Sequence, residues 1–330
     1  MTPLARWQSA LLRAGARITS PGGHRGGLIV LIYHRVLPAP DPLLADEPDA
    51  TTFAAQMDLV ADLFRVLPLA EAVGALERGT LPPRAVAVTF DDGYANNLEV
   101  AAPILAARGL TASFFIATGF IDGGTMWNDL VIDALRRAPA EFDLSSVGLG
   151  RYALTDMAAR RRALDEVLGQ LKYLELPERV GRATEIAELA GLDGRCRPMM
   201  TEAQLRKLAY LGMDIGAHCV RHPILARLAP EEAQREIFES KARLEEITGH
   251  AVRTFAYPNG RPGIDYGPEH VAMVRAAGFS TAVSTAWGAA SRGIDRYQIP
   301  RVAPWDRRAL KYGFRLVRAC AQRRPVLAEP

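Results

Sequence analysis

Ala85-Val-Ala-Val-Thr-Phe90-Asp91-Asp92-Gly93 is a short β-prone run that stops abruptly in two carboxylates and a glycine. It reads as a buried strand with a polar end. Side chains alternate along a strand, so Asp91 and Asp92 leave it in different directions and are free to do different jobs. A second cluster, His218-Cys-Val-Arg-His222, follows a second apolar run, Leu211 to Ile215, which reads as a strand closed by Gly216. Its two histidines stand four residues apart, a spacing that brings both rings onto one face of a helical turn and that a tight loop also converges. Two carboxylates and two imidazoles are enough for one divalent metal and one general base.

Taken alone, Asp-Asp-Gly is usually a turn, and two histidines four apart are more often not a ligand pair. Only six histidines occur in the chain and two fall in this one segment, which makes the joint reading stronger than either part. A metal held by Asp92, His218 and His222 would keep a position for water, the arrangement a hydrolytic site needs.

Working outward, the 330 residues are 49% hydrophobic, ample for one large core. Strand-like apolar runs alternate with helical stretches, which reads as repeated β-α units whose strand ends gather residues from distant sequence positions. Gly27 to Tyr33 is one such strand, with His34 at its carboxyl end. Phe53-x-x-Gln56-Met57-x-x-Val60, continued by Leu63 and Phe64, is an amphipathic helix, and the loop Pro38 to Pro48 before it reads as exposed. The stretch from about 121 to 199 breaks the pattern. It holds helical segments at Leu154 to Tyr173 and Leu176 to Leu189 and reads as a helical insertion in a single domain spanning 1–330. Arg307 to Arg324 reads as a basic amphipathic tail within 307–330.

These motifs resemble the polysaccharide deacetylases and related carbohydrate esterases that share the nodulation-protein-B homology domain. Leu31-Ile-Tyr-His34-Arg-Val, Ala112-Ser-Phe-Phe-Ile-Ala-Thr118-Gly, Glu236-Ile-x-x-Ser240-Lys241-x-x-Leu244-Glu245 and Phe255-Ala-Tyr257-Pro258-Asn259-Gly260 extend the likeness over roughly residues 28–120 and 198–305. The resemblance implies an α/β fold, a distorted (β/α)7 barrel like an incomplete TIM barrel. It implies Asp91 as catalytic base and Asp92, His218 and His222 as ligands of a divalent metal, zinc first, with cobalt or nickel as alternatives. It also implies the backbone N–H of Asn259 as an oxyanion donor. Three departures follow. Ala256 and Asn259 stand where relatives often carry Arg and Tyr, and no histidine after His270 supplies the usual general acid. Arg301, in Tyr297-Gln-Ile-Pro-Arg301-Val, is the residue that reaches Asp91 from another direction if any does, and His34 is the substitute acid. Cys219 is expected to face away from the metal, and Tyr257 and Trp305 are favoured over Trp127 and Trp287 as sugar-stacking aromatics.

The expected reaction is removal of acetyl groups from N-acetylated amino sugars in a polysaccharide, oligosaccharide or lipid-linked glycan. A hydrolase of another small amide, formyl or ureide, is the alternative, and a non-catalytic carbohydrate-binding protein a more distant one. A net charge of +3 with dispersed basic residues gives no reason to expect nucleic acid. Trp7, Leu11 and Leu12 lie among Arg6, Arg13 and Arg17 without the continuous apolar core of a secretory signal. Cys196, Cys219 and Cys320 make no disulfide framework. The expectation is therefore a cytoplasmic protein, with basic ends suited to peripheral contact at an acidic membrane face.

Overall fold

The computed structural model describes residues 4–192, 197–303, 305–323 and 325–329. Cys196 and Arg324 lie outside the described residues. The chain divides into two compact units, one of Met1–Ala39, Glu47–Gly119 and Met200–Pro330, the other of Pro40–Asp46 and Phe120–Met199.

The first unit is built on parallel strands. In chain order they are β1 (Gly27–Tyr33), the short β2 (Arg65–Val66), β3 (Ala85–Phe90) and β4 (Ser113–Ile116). β5 (Glu141–Asp143) and β6 (Arg151–Ala153) belong to the second unit, and the first continues with β7 (Asp214–Ala217), β8 (Thr254–Ala256), β9 (Thr281–Trp287), β10 (Ala290–Ser291), which pairs antiparallel with β1, and β11 (Ile299–Arg301). Seven strands run in the spatial order β1-β3-β4-β7-β8-β9-β11, every neighbour pair parallel. The ring then returns on itself. The Val302 N–H donates to Val30 O at 2.8 Å, and the Ile32 N–H donates to Val302 O at 3.1 Å. This is the expected distorted seven-stranded barrel. The distortion is concentrated in its last members, where β11 shifts register against β9 between Ile299 and Arg301.

β1 and β3 are buried along their whole length, as strands must be when side chains fill the barrel on one face and helices cover the other. Phe90 stacks on Phe114 with ring centroids 4.6 Å apart, and Tyr33 and Phe53 pack around the same ring. The covering helices before β4 are α1 (Arg6–Thr19), α2 (Ala50–Leu63), α3 (Leu69–Arg78) and α4 (Ala102–Ala106). α2 begins where the Asp49 carboxylate accepts the Thr52 N–H at 2.8 Å, and it buries Phe53, Gln56, Met57, Val60 and Leu63.

Two expectations need correcting. β7 starts at Asp214 rather than Leu211, and it contains Gly216 instead of being closed by it. Gly212, at φ 80°, ends the helix before the strand, so Leu211 is left exposed on that turn. A Cβ at Gly216 would collide with the Phe115 ring and Thr254 Oγ1, so only glycine lets these strands approach. The loop Pro38 to Pro48 is also less exposed than its composition suggests. Leu43 is buried in the core of the second unit, and Leu37 N–H donates to Pro48 O at 2.8 Å.

The second unit contains α5 (Trp127–Arg137), the antiparallel pair β5–β6, α6 (Met157–Leu171) and α7 (Leu176–Leu189). Its own apolar core gathers Val131, Leu135, Phe142, Leu164, Leu171 and Ile186. Back in the first unit, α8 (Glu202–Tyr210), α9 (Pro230–Thr248), α10 (Pro268–Ala276) and α11 (Ala309–Ala321) complete the helices.

Candidate active site

Every site residue named from the sequence lies at or just beyond the carboxyl end of a barrel strand. His34 follows β1, Asp91 and Asp92 follow β3, His218 and His222 follow β7, Asn259 follows β8, and Arg301 ends β11. This is the end where chain reversals gather polar groups in a parallel barrel. The Asp91 N–H extends the β1–β3 ladder by donating to Tyr33 O at 2.9 Å, and the chain then turns sharply through Asp92 (φ 76°) and Gly93 (φ 93°). Six non-glycine residues have positive φ among those described, and four of them are here: Asp92, Cys219, His222 and Asn259. Backbone held in this sparsely occupied region costs on the order of 1 kcal/mol per residue, so the surrounding bonds must hold these loops in place.

Asp92 Oδ1 lies 3.6 Å from His218 Nε2 and 3.5 Å from His222 Nε2, beyond normal hydrogen-bonding distance. Ligand atoms from the three residues all fall within 4.8 Å of one another. His218 Nδ1 is 2.7 Å from the Ala256 carbonyl oxygen. A carbonyl only accepts, so Nδ1 carries the hydrogen and Nε2 turns its lone pair toward Asp92. Asp92 Oδ1 is buried without a hydrogen-bond partner. A buried carboxylate oxygen without a donor, facing the His218 lone pair and the His222 ring, is an environment that positive charge between them would relieve, and this donor set suits zinc or a neighbouring divalent ion.

The electrostatics of the pocket agree. Burial works to raise the Asp92 pKa, but the neighbouring imidazoles of His218, His222 and His34 outweigh it and hold the carboxyl far below its ordinary range. Burial works to lower the His218 pKa, and contact with Asp92 and the nearby Asp91 instead carry it upward.

Asp91 is clamped. Arg301 donates from both terminal nitrogens to its two oxygens at 2.7 Å each, with neither side chain appreciably exposed. The guanidinium is itself fixed, donating from Nε to Ser284 O at 2.9 Å and from a terminal nitrogen to Thr89 Oγ1 at 3.2 Å. Burial pushes the Asp91 pKa up, but Arg301 outweighs it and keeps the group ionised. At the position where relatives often carry the orienting arginine, Ala256 gives His218 its carbonyl acceptor, while an arginine from β11 holds the acid.

Asn259 is held at φ 58°, with Thr285 Oγ1 donating to its carbonyl oxygen at 2.8 Å, and its backbone N–H is bonded to no described residue. His34 is exposed, and its main-chain oxygen accepts from Asn97 Nδ2 at 2.9 Å. Cys219 is buried outside the ligand cluster, its thiol pKa pushed up by burial and by Glu236.

Two acids escape a reading from motifs alone. Glu236 on α9 is buried and accepts the backbone N–H groups of Val220 (2.8 Å) and Arg221 (2.9 Å), with Arg221 Nε on its other oxygen at 2.6 Å. It fixes the loop that carries both histidines, and the only sequence sign of this was its place in the helix motif after them. Burial raises the Glu47 pKa against the opposing charges of His34 and Arg35. Nothing in its Pro- and Asp-rich loop marks it out.

The aromatic expectations fare unevenly. Tyr257 is fully buried and stacks on Tyr266 with centroids 3.8 Å apart, so it is core and offers no sugar platform. Its tyrosine ring follows an apolar strand inward, and burial raises its pKa well above normal. Trp305 is exposed with Arg315 over its ring at 5.1 Å, and Trp127 packs half-buried against the core of the second unit.

Comparison with known proteins bears on the family and the fold of the chain. The sequence profile of the family described as polysaccharide deacetylase matches residues 78–282. YxkH of Bacillus subtilis, whose name assigns it to the polysaccharide deacetylases, is 31% identical over 103 residues, 31% of this chain and 36% of that protein. The chain thus aligns with about a third of this curated relative's length. Among solved structures, the Streptococcus pyogenes deacetylase PplD in complex with acetate superposes with a TM-score of 0.58 at 18% identity, over 92% of this chain and 99% of its own. IcaB from Ammonifex degensii gives 0.57 at 22% identity, over 89% and 97%. These superpositions establish the shared fold, and the profile match across β3 to β9 establishes descent. The chain belongs to the polysaccharide deacetylase family.

Proposed function

We propose that the protein is a metal-dependent hydrolase that removes acetyl groups from N-acetylated amino sugars in a polysaccharide, oligosaccharide or lipid-linked glycan. The observation that carries this reading is the pairing of two unlike carboxylates, Asp91 clamped by Arg301 and Asp92 converging with His218 and His222. Asp92, His218 and His222 would hold the ion, zinc by preference. A divalent metal bound there supplies Lewis acidity toward an acyl oxygen and lowers the pKa of water.

The remaining chemistry belongs to the chain. Asp91, ionised and fixed by Arg301, accepts the proton that water gives up as its oxygen attacks the acetyl carbon. The Asn259 N–H donates to the oxygen that becomes anionic in the tetrahedral state, and its left-handed backbone fixes the direction of that donor. His34, exposed at the end of β1, donates a proton to the sugar nitrogen as the carbon–nitrogen bond breaks, leaving acetate and a free amine.

The test is acetate release from a panel of N- and O-acetylated saccharides, with metal-stripped protein reloaded with zinc, cobalt or nickel. Asp91→Asn is expected to reduce release at least about a thousandfold while metal still binds. Release that persists in Asp91→Asn, or no release from any saccharide by the metal-loaded protein, would overturn the reading and return weight to a small formyl or ureide amide.

A further inference from the structure

α1 and α11 pack side by side. Gly313 is needed where Leu12 Cδ1 would lie 2.7 Å from an added Cβ, and Gly15 meets Val317 Cγ1 at 3.1 Å in the same way. Both contacts advance in the same chain direction, so the helices run in step. Leu12 and Ala16 of α1, with Tyr312, Leu316 and Cys320 of α11, are turned inward.

Each helix also carries a second apolar stripe that the fold does not cover. In α1 it is Trp7, Leu11, Ala14 and Ile18, and in α11 it is Leu310, Phe314, Val317 and Ala321. The spacing in both is four, three and four residues, which keeps each stripe on one helical face. The large members Trp7, Leu11, Ile18, Leu310 and Phe314 are 48–79% exposed. Gly15 against Val317 brings the two stripes next to each other at the helix–helix contact.

Basic residues take the flanking faces. Arg6, Arg13 and Arg17 lie on one side of the α1 stripe, and Lys311, Arg315 and Arg318 on the opposite side of the α11 stripe. Arg13 pairs with Asp62 and Arg315 with Asp306. Arg6, Arg17, Lys311 and Arg318 are exposed and make no ion pair among the described residues. Neither helix contains an aspartate or glutamate, whereas the chain as a whole carries 37 acids against 40 bases. The charge is thus concentrated on this pair of helices.

We propose that the paired face of α1 and α11 docks the protein on an anionic lipid bilayer, with the joined apolar stripes in the headgroup–acyl boundary and the basic flanks on lipid phosphates. Exposed aromatic and aliphatic side chains between two cationic edges suit one leaflet of such a surface, the apolar side chains reaching below the headgroups while the cationic edges stay level with the lipid phosphates. No helix among the described residues is long and apolar enough to cross a membrane, so the contact is peripheral. The inference rests on α1 and α11 and is independent of the reaction chemistry.

The full chain is mixed with vesicles of phosphatidylcholine, alone or with about a third phosphatidylglycerol, and the bound fraction is read by sedimentation alongside tryptophan emission. Binding to the anionic vesicles is expected, with a blue shift from Trp7 and weakening at high salt. Arg6→Gln with Lys311→Gln is expected to lower the partition coefficient about thirtyfold, and Leu11→Ser with Phe314→Ser to abolish the blue shift. All four sites are on the surface, and an unchanged far-UV circular dichroism spectrum and thermal midpoint certify the fold of the variants. Failure to bind anionic vesicles, equal binding to neutral ones, or binding untouched by both double variants would each overturn the proposal. So would a vesicle-independent dimer that Phe314→Ser dissociates, which assigns the face to a second copy of the chain.

Discussion

The loop from His218 to His222 is held by charge. Two of its N–H groups end on the Glu236 carboxylate, one ring is fixed by a carbonyl, and two of its residues occupy left-handed backbone. The segment from Phe120 to Met199 is held by fat. Its helices meet through Val131, Leu135, Leu164, Leu171 and Ile186, and its capping is ordinary, as where Asp156 accepts the Ala159 N–H at 2.7 Å. The contrast shows that the first region spends conformational freedom on aiming polar groups, whereas the second is joined by apolar packing. Substitutions in the two regions should therefore fail differently.

The largest effect is expected at Arg301. Arg301→Met leaves Asp91 buried and unpaired, a loss of about 4 kcal/mol in unfolding free energy at neutral pH. The pH dependence has a definite sign. The folded-state pKa of Asp91 lies below its unfolded value, so its contribution is present above the unfolded value and lost as pH falls through the folded one. The deficit of the variant should therefore shrink in acid, below roughly pH 4, in denaturant titrations at stepped pH. Leu171→Ala in the second unit should cost about 3 kcal/mol by the same measurement, with no such pH dependence, because it removes only packing. If kcat toward a small acetylated sugar falls in Leu171→Ala under folded conditions, the contrast between the regions breaks.

Metal affinity gives a smaller effect that sharpens it. The proton on His218 is held more tightly in the folded than in the unfolded metal-free protein, so its stabilisation is present below the unfolded pKa and fades as pH rises through the raised folded one. A metal must displace that proton, and affinity should climb by up to about tenfold per pH unit across this range, as read with a competing chelator. A flat profile would mean the ligand set is not the one described. The smallest effect belongs to the exposed α7 pair Arg182–Glu178, 2.7 Å apart, where Arg182→Ala should change stability by no more than about 0.5 kcal/mol.

How far this was legible in the sequence follows the same division. β1 and β3 stand out because continuous apolar runs end abruptly in charge, and Asp91, Asp92, His218 and His222 stand out because their residue types have few other reasons to cluster. Arg301 was visible only as a polar residue at a strand end. Its contact with Asp91 bridges 210 positions and depends on barrel closure, which no local pattern encodes. The beginning of β7 was misread because Leu211 is apolar but belongs to a helix terminus, where Gly212 decides the turn. Tyr257 was misread because an aromatic beside a motif looks the same whether it faces ligand or core. Glu236 was hidden for the opposite reason, as an acid on an amphipathic helix is usually solvated and this one is buried. The antiparallel β5–β6 pair has strands of three residues, too short to leave a period.

The barrel closes by few bonds, with Val302 reaching across to Val30 and Ile32, and β11 is only three residues long. Arg301 sits on that seam and grips Asp91 at the end of β3, two strands away around the ring. The clasp that aims the acid is therefore also a rivet across the closing joint of the wall. Transient gaping at this joint would separate Arg301 from Asp91 before any helix unwinds, so amide exchange at Ile32 and Val302 should keep time with the loss of the poised carboxylate.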